Sequence, residues 1–177
     1  MIRMAGRISA LVCTAAFAVF LAGCVRDFDM SPSSVNWPSF RGPTGDGSSR
    51  QAELPISWSE TNNIAWKVAV TGRGRSSPIL LGDRIWVTTA VEQGVVRTRI
   101  GSDDMQTAEH VSLRALCLDR RTGKCLWETA LFEVANPDPV HWFNSWATPT
   151  PVVDAGRLYC DFGTYGKSRR RHRHSLR

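Results

Sequence analysis

No G-x-x-x-x-G-K-[S/T] phosphate loop, no G-x-S-x-G nucleophile elbow and no H-E-x-x-H zinc motif occurs in the 177 residues. The usual sequence warrants for nucleotide hydrolysis, acyl transfer and zinc proteolysis are therefore missing. Gly123-Lys124 is followed by Cys125 and sits between two strand patterns, and Gly72-Arg73-Gly74-Arg75 has no helix after it, so neither reads as a phosphate or dinucleotide loop. Helical periodicity is scarce too: beyond residue 24 no ten-residue stretch shows it convincingly. With five cysteines, the chain is no disulfide-dense small domain. The spacing of Cys117 and Cys125 is too wide for a zinc knuckle.

Positive charge is present, but in the wrong place for a nucleic-acid groove. The formal net charge is +6, from 22 basic and 16 acidic residues. Six of the basic residues fall in the last eleven positions (Lys167, Arg169, Arg170, Arg171, Arg173, Arg177), and Arg3 and Arg7 open the chain. Between Cys24 and Gly166 remain 14 basic residues against all 16 acidic ones. A phosphate-neutralising surface belongs on the folded body, so no nucleic-acid partner is expected.

Arg3 and Arg7 precede an apolar run from Ile8 to Leu21, which is short for a permanent spanning helix and fits the core of a signal peptide. The run ends on Leu21-Ala22-Gly23-Cys24, which resembles the lipobox of bacterial lipoproteins. Residues 1–23 are then a lipoprotein signal peptide, and Cys24 is the lipid-attachment site that tethers the mature chain to a membrane of the cell envelope. Residues 24–36 are polar, contain Ser-Pro-Ser-Ser and read as a flexible tether.

The body is repetitive. Pro78-Ile79-Leu80-Leu81-Gly82-Asp83-Arg84-Ile85-Trp86-Val87 recurs as Pro151-Val152-Val153-Asp154-Ala155-Gly156-Arg157-Leu158-Tyr159-Cys160. Each copy reads as strand, tight turn, strand. Ile64-Ala65-Trp66-Lys67 echoes Cys125-Leu126-Trp127-Glu128. Leu113–Leu118 and Cys125–Leu131 flank Asp119-Arg120-Arg121-Thr122-Gly123-Lys124, where Asp at the entry and Gly near the exit predict a hairpin. With Arg120–Gly123 as a four-residue loop, Leu118 faces Cys125 and Cys117 faces Leu126, so Cys117 and Cys125 point to opposite sides and are not expected to form a disulfide. The fold class is all-β.

Repeated four-stranded units with a Trp at a fixed place suggest a partial β-propeller. The segments NWPSFRGPTGDG, LPISWSETNNIAWKV, GRGRSSPILLGDRIWVTTA, LRALCLDRRTGKCLWE and NSWATPTPVVDAGRLYCDFGTYG resemble the start of PQQ-like β-propeller repeat proteins, in particular exported relatives of the outer-membrane assembly lipoprotein BamB. The resemblance covers residues 37–166. It implies a closing-type outer strand near Ile64–Val70, a first blade from Ser77 to Leu131 with an insertion near Val91–Ser112, and a second blade beginning at Thr150. It also implies that Trp66 and Trp127 are packing anchors between blades. Another hairpin is expected after Gly166, where the chain instead reads KSRRRHRHSLR. Residues 167–177 are accordingly expected to be a basic, disordered tail, and the sequence a fragment with about one and a half blades.

Quinoprotein dehydrogenases use a catalytic Asp, calcium ligands and often an adjacent cysteine pair, and none of these is evident, so no cofactor and no metal is expected. His141-Trp142-Phe143-Asn144-Ser145 is the most suggestive cluster. His141 and Asn144 fit the family's H-x-x-N-S pattern and mark a possible functional loop, although such side chains more often satisfy loop backbone groups. The leading expectation is a membrane-tethered, non-enzymatic scaffold for protein partners outside the cytoplasm. The alternatives are a quinoprotein-like oxidoreductase and a carbohydrate-binding surface protein.

Overall fold

Two runs of β-branched and apolar residues, Arg84–Gln93 and His110–Asp119, pair without a break over ten residues in a computed structural model that describes residues 36–49 and 55–171. The predicted signal peptide, with Cys24 and nearly all of the tether, lies outside the described residues. In chain order the strands are β1 (Ile79–Leu81), β2 (Arg84–Gln93), β3 (Val96–Ile100), β4 (Asp103–Thr107), β5 (His110–Asp119), β6 (Cys125–Ala135), β7 (Val140–His141), β8 (Val152–Asp154), β9 (Arg157–Asp161) and β10 (Lys167–Arg171). A 3-10 turn, Gly163–Tyr165, joins β9 to β10. The described residues are all-β, in three antiparallel sheets ordered β1-β2-β5-β6, β10-β9-β8 and β3-β4-β7, none closed on itself.

The sequence repeat is also a structural repeat. In the first copy Ile79 pairs with Trp86 and Leu81 with Arg84; in the second Val152 pairs with Tyr159 and Asp154 with Arg157. Ala155 and Gly156 both have positive φ (44° and 69°), the geometry whose twist matches that of the flanking strands in a two-residue hairpin. β2 then pairs with β5 over ten residues, and β9 pairs with β10 over five, so β10 occupies beside β9 the place that β5 occupies beside β2.

That pairing corrects one expectation. Lys167–Arg171 is not a disordered tail but a strand, with Ser168 opposite Cys160 and Arg170 opposite Leu158. Its basic side chains suit a sheet edge, where charge stays in water, and the backbone row of β9 supplies the ordering that composition alone does not reveal. The second sheet has three strands rather than the two expected. The remaining tail residues, 172–177, lie outside the described residues. A second difference concerns Ile64–Val70, which forms no strand: it is held through the Trp66 indole and through the carbonyl of the next residue, Thr71, while Ile64, Val68 and Val70 stay exposed.

The core lies between the first two sheets. On one face of the first sheet Trp86, Ala90, Val111, Leu113, Ala115 and Cys117 are buried, and they meet Val153, Leu158, Cys160 and Phe162 of the second-sheet region. Each fully buried large apolar side chain contributes roughly 1.5–3 kcal/mol. Phe132 and Phe162 meet edge to face at 5.9 Å across this layer. Trp146, from the connection, joins the same core and donates its indole N–H to the Asp138 carbonyl at 2.9 Å. Within the Val91–Ser112 span lies the β3–β4 hairpin, which β7 extends to three strands.

β6 carries two irregularities. Leu118 pairs with Cys125, but Cys117 pairs with Trp127, so Leu126 is an extra residue; a second shift falls between Leu113 and Arg114. The first bulge corrects the expected Cys117–Leu126 register. It moves Trp127 onto the core face, which an unbroken alternation would deny it.

Candidate functional site

His141 ends β7 opposite Met105. Its Nδ1 accepts the Phe143 N–H at 3.3 Å, and its carbonyl accepts the Asn144 N–H at 2.7 Å. The Asn144 side-chain carbonyl accepts from the Thr148 hydroxyl, which also lies 2.7 Å from the Ser145 carbonyl. Both predicted loop residues are thus brought together, and each commits one side-chain acceptor, His141 Nδ1 and Asn144 Oδ1, to the turn. Trp142 stacks on Phe143 at 4.1 Å, Phe143 on His141 at 5.4 Å, and the Arg97 guanidinium lies 5.1 Å from the Trp142 ring. Beside Trp142 a groove of about 370 Å³ is lined by Arg97, Arg99, Asp104 and Met105. Arg99 is paired with Asp104 at 3.7 Å.

Behind this loop stands Arg73, from the Gly72–Arg75 segment whose sequence suggests no role. Arg73 bridges to Ala90 through both backbone groups at 2.8 Å. Its guanidinium donates to Gln106 Oε1 at 2.6 Å, to Glu92 Oε2 at 3.4 Å and to the Trp142 carbonyl at 3.2 Å. Gln106 is fully buried and the Glu92 side chain is 7% exposed, so Arg73 gives a cation to one carboxylate and a donor to one amide oxygen that water hardly reaches. The Arg73 carbonyl in turn accepts from Ser145 Oγ at 3.0 Å. One side chain therefore ties the first sheet, the β3–β4 hairpin and the 141–145 loop together. Its partners lie 19 and 33 residues away, and no local spacing would have found them.

The two tryptophans take different places. Trp66 donates its indole N–H to the Arg120 carbonyl at 2.9 Å and lies flat on Gly123, where an added Cβ would stand 2.4 Å from its ring. It holds the 64–70 segment to the β5–β6 hairpin. Trp127 packs on the core, and Arg170 of β10 lies over its ring at 5.6 Å while donating to Thr129 at 3.1 Å. Trp127 therefore stands between the first and second sheets.

The charged groups of the hairpins are structural. Asp119 accepts the Thr122 hydroxyl and the Thr122 and Arg121 N–H groups at 2.8–3.1 Å, which holds its carboxyl below the usual carboxylate range. Asp161 is lowered first by the Gly163 N–H and then by Lys167. Asp46, in the consecutive turns of Ser39–Ser48, is lowered to about 2 by Thr44 and Ser48. Burial pushes the Cys117 and Cys160 thiols up to about 11 and 12, and both are free, as is exposed Cys125. Among the described residues no three His, Cys, Asp or Glu side chains cluster to hold a metal, and no helix is long and apolar enough to cross a membrane. Comparison with known proteins found no matching family model, no matching curated protein and no matching solved structure.

Proposed function

We propose that this chain is a lipid-tethered, non-enzymatic β-propeller scaffold for protein partners outside the cytoplasm. The observation that carries the reading is the repeated hairpin: two copies of one sequence motif form β1–β2 and β8–β9 in the same register, in two sheets that face each other across one core. Face-to-face packing of repeated antiparallel sheets is how propeller blades bury their apolar surfaces. The side chains with most chemical potential, His141, Asn144 and Arg73, are engaged in fixing loops, which supports a scaffold over a catalyst.

The tether is tested by expressing the full chain in a bacterial host fed a clickable fatty acid. Wild type is expected to be labelled and to sediment with membranes, whereas Cys24→Ser loses the label and becomes soluble. Undiminished labelling of Cys24→Ser overturns the attachment site. Calcium-dependent dye reduction by the purified chain would overturn the non-enzymatic reading, and retention on a glycan column would replace the protein partner with a sugar.

A further inference from the structure

β10 is the outer strand of its sheet, and its backbone pattern says which groups face outward. The Phe162 N–H donates to the Gly166 carbonyl at 3.0 Å, and the register from there is unbroken through Lys167–Asp161 to Arg171–Arg157. Hydrogen-bonded pairs in an antiparallel ladder alternate. They fall at Cys160–Ser168 and Leu158–Arg170, which leaves the N–H and C=O groups of Lys167, Arg169 and Arg171 pointing away from β9. Among the described residues no backbone bond reaches that row. The first sheet shows what fills the corresponding place: β5 there carries β6 on its far side, and the pairing is accompanied by Arg114–Glu128 at 2.8 Å and Ser112–Glu133 at 2.9 Å.

We infer that the β10 edge binds an extended acidic peptide segment, which adds as a fourth, antiparallel strand with carboxylates at alternate positions opposite Lys167 and Arg169. Both side chains are exposed and lie on the same face as Tyr159 and Val152. Lys167 has one partner, Asp161 at 3.1 Å, with its own side chain 80% exposed; Arg169 makes no ion pair among the described residues. The groove of about 400 Å³ lined by Pro149, Val152, Tyr159, Lys167 and Arg169 lies over β8–β10 on the inner side of this edge, so it leaves the outward row of β10 uncovered. Main-chain bonds give such strand addition its affinity, and alternate side chains its specificity. A second copy of this chain is a poor occupant through the same edge, because β10 against β10 sets basic residues opposite one another. The inference deepens the scaffold reading by naming a class of partner, yet it rests on the β9–β10 pairing and not on the lipid anchor.

The test uses the full chain in neutral detergent and fluorescein-labelled, end-capped octapeptides of alternating Glu and Thr, read by polarisation. The Glu-Thr peptide is expected to bind at least tenfold more tightly than its Gln-Thr counterpart, with affinity falling as salt rises. N-methylation of the residues whose N–H groups face β10 should abolish binding, while N-methylation of the intervening ones should not. Lys167→Glu/Arg169→Glu is expected to reverse the preference toward a Lys-Thr peptide, and deletion of residues 172–177 to leave the Glu-Thr affinity within twofold. Four outcomes overturn the inference: equal binding of the Gln peptide, indifference to the position of N-methylation, loss of binding on deletion of 172–177, or binding to anionic vesicles with none to the peptides. Failure of Cys24→Ser to lose its lipid label bears on the anchor alone, so the two readings fail separately.

Discussion

The Arg73 guanidinium meets the buried Gln106 and the nearly buried Glu92 at once. Removing it leaves the Glu92 carboxylate without its cation and the Gln106 amide oxygen without its donor, and an unsatisfied buried polar group costs roughly 1–3 kcal/mol. Arg73→Ala is therefore expected to lower stability by about that much in a denaturant titration. Arg73→Lys should recover only part of it, since one ammonium cannot reproduce a planar fork reaching two side chains and a carbonyl. The cysteines give a second residue-scale test. Cys117 and Cys160 are buried with thiols pushed far above neutrality, while Cys125 sits on the exposed face of β6. At pH 8 a maleimide should modify Cys125 in the native protein, and Cys117 and Cys160 only after denaturation, as read by peptide mass spectrometry.

At the scale of the element, the β5–β6 hairpin depends on one carboxylate and one glycine. Gly123 has φ +71° and lies under Trp66, so any side chain here would both strain the backbone and run into the indole ring. Asp119 gathers three donors, and its folded pKa lies below the ordinary value. A lowered pKa means that the carboxylate stabilises the folded state above the usual carboxylate range and that the contribution fades as pH falls through the lowered value. Asp119→Ala should thus reduce the thermal midpoint most at neutral pH, with the gap to wild type narrowing as the medium is acidified toward pH 2. A gap that does not change with pH would show that the turn does not rely on the ionised form. β10 makes the complementary point: a run rich in arginine is a strand here because β9 offers it a complete row of partners.

For the whole molecule, the decisive contact is the packing of two sheets through Trp127, Phe132 and Phe162, with Arg170 lying over Trp127. Trp127 is only partly buried, so Trp127→Ala is expected to cost roughly 2–3 kcal/mol, less than removal of a fully enclosed tryptophan. Because the ring stands between sheets, the loss should be shared. Amide exchange of β8–β10 is expected to accelerate together with that of β5–β6. Faster exchange confined to β6 would mean that the sheets are stabilised independently.

The sequence by itself determined the all-β class, the tight hairpins at Leu81–Arg84 and Asp154–Arg157, the turn from Asp119 to Lys124 and the pairing of Leu118 with Cys125. Each is a short-range matter of turn residues and two-residue periodicity, which a linear pattern records. The tertiary structure decided what depends on distant chain. The bulge at Leu126 turns Trp127 inward, and nothing in the local alternation announces an extra residue. Arg73 finds Gln106 and Glu92 only once β2, β4 and the Arg73 bridge are assembled. Lys167–Arg171 reads as a solvated charge run until β9 lies beside it, because backbone hydrogen bonding is indifferent to side-chain charge at an edge that faces water. Ile64–Val70 has the alternation of a strand and forms none among the described residues, since a strand is a relation between two segments and not a property of one.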